Sequence, residues 1–284
     1  MKMPKISEYM TKDPIFLYVP GTRREAMKIF VNKTISGVPV LMEDDDKLVG
    51  IVTRADVFAK PNEDQLAMIM RKDPVTCGCD CTLDMAAKRM IDNDIHRLPI
   101  LDDNEKLVGV ISPFDILAYI EKLDLDQTVE TVMRKGVVPL YGKMPANVAL
   151  EVMKLTGAKA LPVLDDEAKV GGILTDRDIY AQIHIDTKMV ESELGPETEE
   201  DPWTWDSLRN IMKLYHDVGK VEIPNTPIEE FMVTDPDTVQ LKTSVSKAAR
   251  SLTLGRYNQL PVLDVREHLA GMIFDVDLLT VLVN

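Results

Sequence analysis

A hydroxyl residue stands three positions ahead of a carboxylate at Thr53-x-x-Asp56, Ser112-x-x-Asp115 and Thr175-x-x-Asp178. Each follows a short apolar run containing a glycine, at Gly50, Gly109 and Gly172. A fourth copy, Gly271 to Asp277, has Phe274 where the hydroxyl should be. Two chemistries fit this spacing. At a helix start, Ser or Thr with an acid three residues on forms a capping box. The same helix start presents unpaired N–H groups and a positive dipole end, which suit a phosphate. There the hydroxyl can donate to a phosphate oxygen, and the aspartate can accept from two ribose hydroxyls. The glycine leaves room for a planar ring to approach the backbone. Capping and binding are compatible, and recurrence at one geometry favours binding.

The elements that position these residues recur too. Proline-containing apolar runs precede each copy: Gly37-Val38-Pro39-Val40-Leu41, Arg97-Leu98-Pro99-Ile100-Leu101, Ala160-Leu161-Pro162-Val163-Leu164 and Gln259-Leu260-Pro261-Val262-Leu263. Met10, Met70, Met133 and Met232 each lie 29 residues before the proline, and the closing aspartate follows it by 17, 16, 16 and 16 residues. Four copies in register are an internal repeat. Each reads as strand, helix, strand, strand, helix, with Asp-Pro breaking the chain after the methionine in three copies. Thr22 and Thr82 are expected to cap amphipathic helices. Ala26, Met27, Ile29 and Phe30 line one helix face, and Met85, Ala86, Met90 and Ile91 the other. The methionines are expected to fill core. Acidic turns such as Glu43 to Lys47 join the two long strands.

The prolines step by 60, 63 and then 99 residues, so each unit is too small to bury its sheet alone and neighbours should pair. The expected division is repeat one at 1–61, repeat two at 62–123, repeat three at 124–184, an acidic, helical insertion at 185–223 and repeat four at 224–284. The insertion holds Trp203, Trp205 and an expected helix from Asp206 to His216. The tryptophans would anchor it, form a partner surface or cover a cleft.

Composition narrows the function. The chain of 284 residues is 45% hydrophobic and 28% charged, as in globular proteins, with a net charge of −14. That charge disfavours nucleic acid and anionic lipid as partners. No apolar signal core or long apolar run is present, so a soluble, cytosolic (cytoplasmic) protein is expected. Cys77, Cys79 and Cys81 match the strand positions Leu17, Val19 and Gly21 of repeat one, and they lack a second pair to complete a zinc site. No metal site, nucleophile–base set, P-loop or dinucleotide fingerprint is read, so no enzyme is expected.

With these motifs in hand, the chain resembles a protein of four CBS domains, named from cystathionine β-synthase, everywhere except the insertion. The resemblance implies an α/β (α+β) fold whose repeats pair into two Bateman modules. It implies clefts for AMP, ADP, ATP, NAD or S-adenosylmethionine as regulatory ligands, with no catalytic cofactor. By the same resemblance Asp56, Asp115, Asp178 and Asp277 would meet ribose, and Thr53, Ser112 and Thr175 phosphate. The adenine pocket would comprise Gly37, Val38, Pro39, Leu98, Pro99, Leu161, Pro162, Leu260 and Pro261. Basic residues beside the motifs, Arg54, His96, Arg97, Lys159 and Arg177, would meet phosphate, which favours repeats two and three for nucleotides. S-adenosylmethionine would suit the acidic setting. Phe274 makes repeat four the departure. The implied role is a non-enzymatic metabolite sensor that regulates a partner, as a monomeric disc or a homodimer. The alternative is a scaffold or transcription-linked protein that uses the repeats only to associate.

Overall fold

The computed structural model describes residues 3–33, 35–60, 63–175, 178–179, 184–192, 214–222 and 225–283. They fall into two compact units. One joins Met1–Val137 to Asp237–Asn284, and the other is Val138–Pro236.

In the first unit, each repeat builds its sheet around the proline strand. In repeat one, Gly37–Met42 pairs antiparallel with the closing strand Leu48–Thr53, which sets Gly37 opposite Thr53. Repeat two does the same with Leu98–Leu101 and Leu107–Ile111, and repeat four with Gln259–Leu263 and Leu269–Phe274. A short parallel strand lies on the other side of the proline strand: Leu17–Val19, Cys77–Gly78 and Val239–Gln240 respectively. The prolines stand one residue ahead of that parallel pairing, which begins at Val40, Ile100 and Val262. A missing N–H disturbs the ladder little there.

The remaining strand of a sheet is exchanged between repeats. Arg71–Lys72 opens repeat two but pairs with the closing strand of repeat one, with Arg71 opposite Ile51. Thr11–Lys12 opens repeat one but pairs with repeat two, with Thr11 opposite Val110. Arg134, at the start of repeat three, bridges Met272 of repeat four. The closing-strand glycines make room for this exchange. A β-carbon at Gly50 would lie 2.7 Å from Met70 Sδ and 2.8 Å from the Arg71 carbonyl oxygen. One at Gly109 would lie 2.5 Å from Met10 Sδ. The space that the sequence reading assigned to a planar ligand is thus filled by the leader methionine.

Two hydrophobic cores hold this unit. Repeat one packs Val19, Ala26, Phe30, Val38, Val40, Val52 and Val57 with Leu66 and Ile69. Repeats two and four share the larger core. Helix Pro113–Ile120 packs on helix Val245–Gly255, and helix Leu83–Asp92 packs on the C-terminal turn Leu279–Leu282. Ile116, Leu117, Ile120, Ala248, Ala249 and Leu252 are fully buried. Ser246 is polar and buried there, and it is satisfied. Its hydroxyl donates to the Ile120 carbonyl at 3.0 Å and accepts from the Leu125 N–H at 2.9 Å.

Several local expectations need correction. Thr22 forms its full capping box with Glu25. Thr82 occupies the N-cap, but its hydroxyl turns to Asp84 and caps no backbone N–H. Ala26, Phe30, Ala86 and Met90 are buried as expected, whereas Met27 and Met85 are 36% and 46% exposed. Cys77 and Cys81 are buried and belong to the shared core. Burial pushes the Cys77 thiol up to about 12, with a hydrogen bond to its neighbour Cys81 adding to the rise.

The second unit carries the body of repeat three. Its sheet runs Leu140–Tyr141, Ala160–Leu164, Val170–Thr175 and then Val233–Thr234, an exchanged strand from the start of repeat four. Helix Ala146–Thr156 ends at Gly157, whose φ of 67° is left-handed. The insertion differs from the expected helical one. His184–Ser192 and Leu214–Glu222 form an antiparallel ribbon in register from His184↔Glu222 to Ser192↔Leu214. Leu214 to His216, expected to end a helix, are therefore strand. Ile185, Thr187, Val190, Val218 and Val221 favour extended backbone, and Gly219 disfavours helix. Trp203, Trp205 and residues 206–213 lie outside the described residues. Among the described residues no helix is long and apolar enough to cross a membrane.

Candidate functional site

Each hydroxyl–aspartate motif sits where a closing strand turns into a helix. In repeat two, one oxygen of Asp115, Oδ2, accepts from the Ser112 N–H at 2.7 Å and from the Ser112 hydroxyl at 2.8 Å. In repeat one, Asp56 Oδ2 accepts from the Thr53 N–H at 2.9 Å and from its hydroxyl at 2.5 Å. In repeat three, Asp178 Oδ2 accepts likewise from Thr175 at 2.9 and 2.7 Å. In repeat four Phe274 leaves only the backbone bond, at 3.1 Å. The capping reading is therefore realised in repeats one to three, and in every repeat one carboxylate oxygen is committed to the helix start.

The second oxygen separates the repeats. Asp56 Oδ1 accepts from Arg71 Nε at 2.9 Å. Asp277 is gripped by Arg134, whose Nε lies 2.9 and 3.1 Å from its two oxygens. The Arg134 guanidinium also lies 4.5 Å from the centre of the Phe274 ring, so the residue that replaced the hydroxyl stacks on it. Asp115 and Asp178 have no such arginine among the described residues.

Around Asp115 three repeats of the first unit supply polar groups. Arg97 Nη2 donates to Ser36 Oγ of repeat one at 2.9 Å. Its Nε is buried and has no hydrogen-bond partner. Burial holds Arg97 below its usual range, while Asp115 and Asp275 oppose the shift and Arg54 adds to it. Burial also raises Asp115 above the usual carboxylate range, against the pull of Ser112 and Arg97. His96 Nε2 lies 3.5 Å from Asp275 Oδ1 of repeat four. Asp275 is fully buried and accepts from Asn258 Nδ2 and the Val276 N–H, both at 2.8 Å. A half-buried arginine whose buried Nε is an unused donor, near a half-committed carboxylate, can hold an anion next to a hydroxyl-bearing group.

The other expected site residues are scattered. Arg54 donates to the carbonyls of Phe30 and Ile35, both at 3.4 Å. Lys159 is exposed. Arg177 lies outside the described residues. Val38, Leu98 and Leu260 pack in the hydrophobic cores, and Leu161 is buried too. Gly37, Pro39, Pro99 and Pro261 stand on the opposite face by strand alternation. Among the described residues, no group of three His, Cys, Asp or Glu is placed to hold a metal ion.

A profile of the CBS domain matches residues 6–63, 66–122, 129–185 and 228–284. The chain belongs to the CBS domain family. Protein MJ1225 of Methanocaldococcus jannaschii is 22% identical over 302 residues, covering 98% of both chains. Its crystal structure, described as that of a candidate archaeal homologue of γ-AMPK, matches at a TM-score of 0.74 and 20% identity, over 98% of this chain and 99% of that one. An uncharacterized conserved protein from Pyrococcus horikoshii matches at a TM-score of 0.68 and 24% identity, over 98% and 100%. These likenesses concern the fold. Protein MJ1232 of M. jannaschii is 41% identical over 101 residues, 35% of this chain, and the chain spans only 33% of that relative's length.

Against this family pattern, sequence reasoning missed Arg71, Arg134 and Asp275. A signal for the first two was present. Aligning the CBS repeats on their leader methionines puts Arg71 and Arg134 at one position, with Thr11 and Val233 as its other occupants. The consequence appears only once the strands exchange. Asp275 gave no signal, because His96 and Arg97, the basic groups it faces, come from repeat two.

Proposed function

We propose that this chain is a non-enzymatic sensor of adenosine-containing ligands, with AMP, ADP or ATP favoured over S-adenosylmethionine at repeat two. The observation that carries this is the pairing of Asp115, with one carboxylate oxygen uncommitted, and Arg97, with a buried Nε lacking a partner. In this reading Asp115 accepts the ribose hydroxyls on its second oxygen, the Ser112 hydroxyl turns from Asp115 to donate to phosphate, and Arg97 neutralises it with His96 alongside. Pro99 and Gly37 flank the base. Arg97 favours an anionic ligand over a sulfonium. Thr175 and Asp178 would serve a second site in repeat three with Lys159. The description of MJ1225 as a candidate γ-AMPK homologue points the same way. A sensor of this kind acts on a partner only through unequal affinity for two arrangements of the chain.

Calorimetry and thermal unfolding with AMP, ADP, ATP, NADH and S-adenosylmethionine test the reading. A ligand at 100 times its Kd adds about 2.7 kcal/mol to the folded state. Asp115→Ala should weaken binding by roughly 10- to 150-fold, the worth of one hydrogen bond to a charged group at about 1.5–3 kcal/mol. If no ligand in the panel gives heat or shifts the midpoint, the sensor reading falls and association alone is left.

A further inference from the structure

The geometry points to the residue after each leader methionine as the determinant of which motif carboxylates stay open: Arg71 and Arg134 close Asp56 and Asp277, and Thr11 leaves Asp115 open. A residue at this position in one repeat is delivered beside the aspartate of its partner repeat, because its strand is the sheet neighbour of that repeat's closing strand. An arginine there reaches the carboxylate oxygen that capping leaves over. Arg71 Nε does so at 2.9 Å. Arg134 does so with both Nε and Nη2 at 2.9 Å. The side chains of Asp56 and Asp277 are then only 11% and 13% exposed, while those of the arginines remain 66% and 55% exposed. A ligand diol arriving at Asp56 or Asp277 would have to displace a charge-assisted bond.

Thr11 cannot do the same. It is exposed on the strand beside Val110, and among the described residues no arginine hydrogen-bonds the Asp115 carboxylate, which accepts from Ser112. Val233 holds the same place in repeat three's sheet, opposite Ile173. Valine has no donor, so Asp178 receives none from this position. The four repeats therefore divide by one residue each. The closed carboxylates carry their own cation, and the open ones await a hydroxyl donor.

This assignment rests on the adenosine reading above only for the identity of the ligand. Two variants exchange the device: Arg71→Thr removes the clamp from Asp56, and Thr11→Arg installs one at Asp115. Both positions are exposed, and circular dichroism and the unfolding midpoint check that each variant is folded. With AMP as the calorimetric probe, Thr11→Arg should weaken the binding event assigned to repeat two at least tenfold. Arg71→Thr should add a binding event or tighten a weak one by a similar factor. In parallel, carboxylates are labelled with a carbodiimide and glycine ethyl ester, and labelled peptides are quantified by mass spectrometry. Asp56 should label several-fold faster in Arg71→Thr than in the wild type. If the wild type binds AMP and neither variant changes its affinity or stoichiometry, the clamp is overturned and the sensor reading survives. If the wild type takes up no ligand of the panel, the sensor reading falls, and if it takes up no AMP, labelling decides the clamp alone. Faster labelling of Asp56 in Arg71→Thr then upholds it, and an unchanged rate overturns it.

Discussion

Burial sets the chemistry of Asp115. Its cap to Ser112 and the nearby Arg97 both favour the carboxylate, yet removal from water outweighs them and the pKa stands above the ordinary value. The sign of the linkage follows. A carboxyl raised on folding costs stability wherever it is ionised, above its folded pKa. That cost is relieved as pH falls through the folded pKa towards the unfolded value of about 3.9. Asp115→Asn keeps an acceptor for the Ser112 donors and removes the charge. The variant should therefore melt higher than the wild type near pH 7, with the difference shrinking towards pH 4, while its AMP binding weakens. A melting difference that does not change with pH would refute the account. At this scale the sequence was informative where bonds are local. The capping pairs Thr53–Asp56 and Ser112–Asp115 span three residues and were legible as motifs. Arg71 on Asp56 spans 15 residues and a strand exchange, so no local pattern announces it.

The strand exchange depends on the glycines of the closing strands. At Gly50 the leader strand passes so close that a β-carbon would meet both Met70 Sδ and the Arg71 carbonyl. The methionine end could move aside, but the backbone carbonyl cannot without loosening the strand. Gly50→Ala should therefore cost about 1–3 kcal/mol, the range for overpacking, measured by chemical denaturation. It should also free Asp56 by shifting Arg71, so that carboxylate labelling at Asp56 rises with the loss of stability. Lost stability without faster labelling would mean that the clamp does not depend on the strand position. The repeat spacing made the proline and closing strands legible, because the apolar runs recur in every copy at a 29-residue interval from the methionine. The exchange was not, since the leader is too short to show a period. In the insertion, Leu208, Ile211, Met212 and Leu214 suggested a helix, but Leu214–Glu222 is paired along its whole length with His184–Ser192. Cross-strand partners decide such a segment more than its own spacing does.

In the first unit, repeat four reaches the candidate site of repeat two. Helices Pro113–Ile120 and Val245–Gly255 share one core, and His96–Asp275 lies between the same two repeats. Amphipathic spacing recurs from repeat to repeat, so complementarity in three dimensions, not periodicity, chose these partners. Asp275 is the second carboxylate acting on Arg97. It holds a buried negative charge against the guanidinium assigned to phosphate, and that charge competes with an incoming anion. Asp275→Asn removes it while keeping an acceptor for the Val276 N–H. AMP should then bind more tightly, and adenosine, which lacks the phosphate, should not. Two unit charges taken as about 10 Å apart at an effective dielectric near 20 interact by about 1.7 kcal/mol, which puts the ceiling on the gain at roughly 18-fold. Calorimetry with both ligands on both proteins gives the answer. An equal change for AMP and adenosine would reveal a packing effect of the substitution. No change for AMP would mean that the charge of repeat four is not felt at Arg97, and that the shared core joins the repeats without coupling their electrostatics.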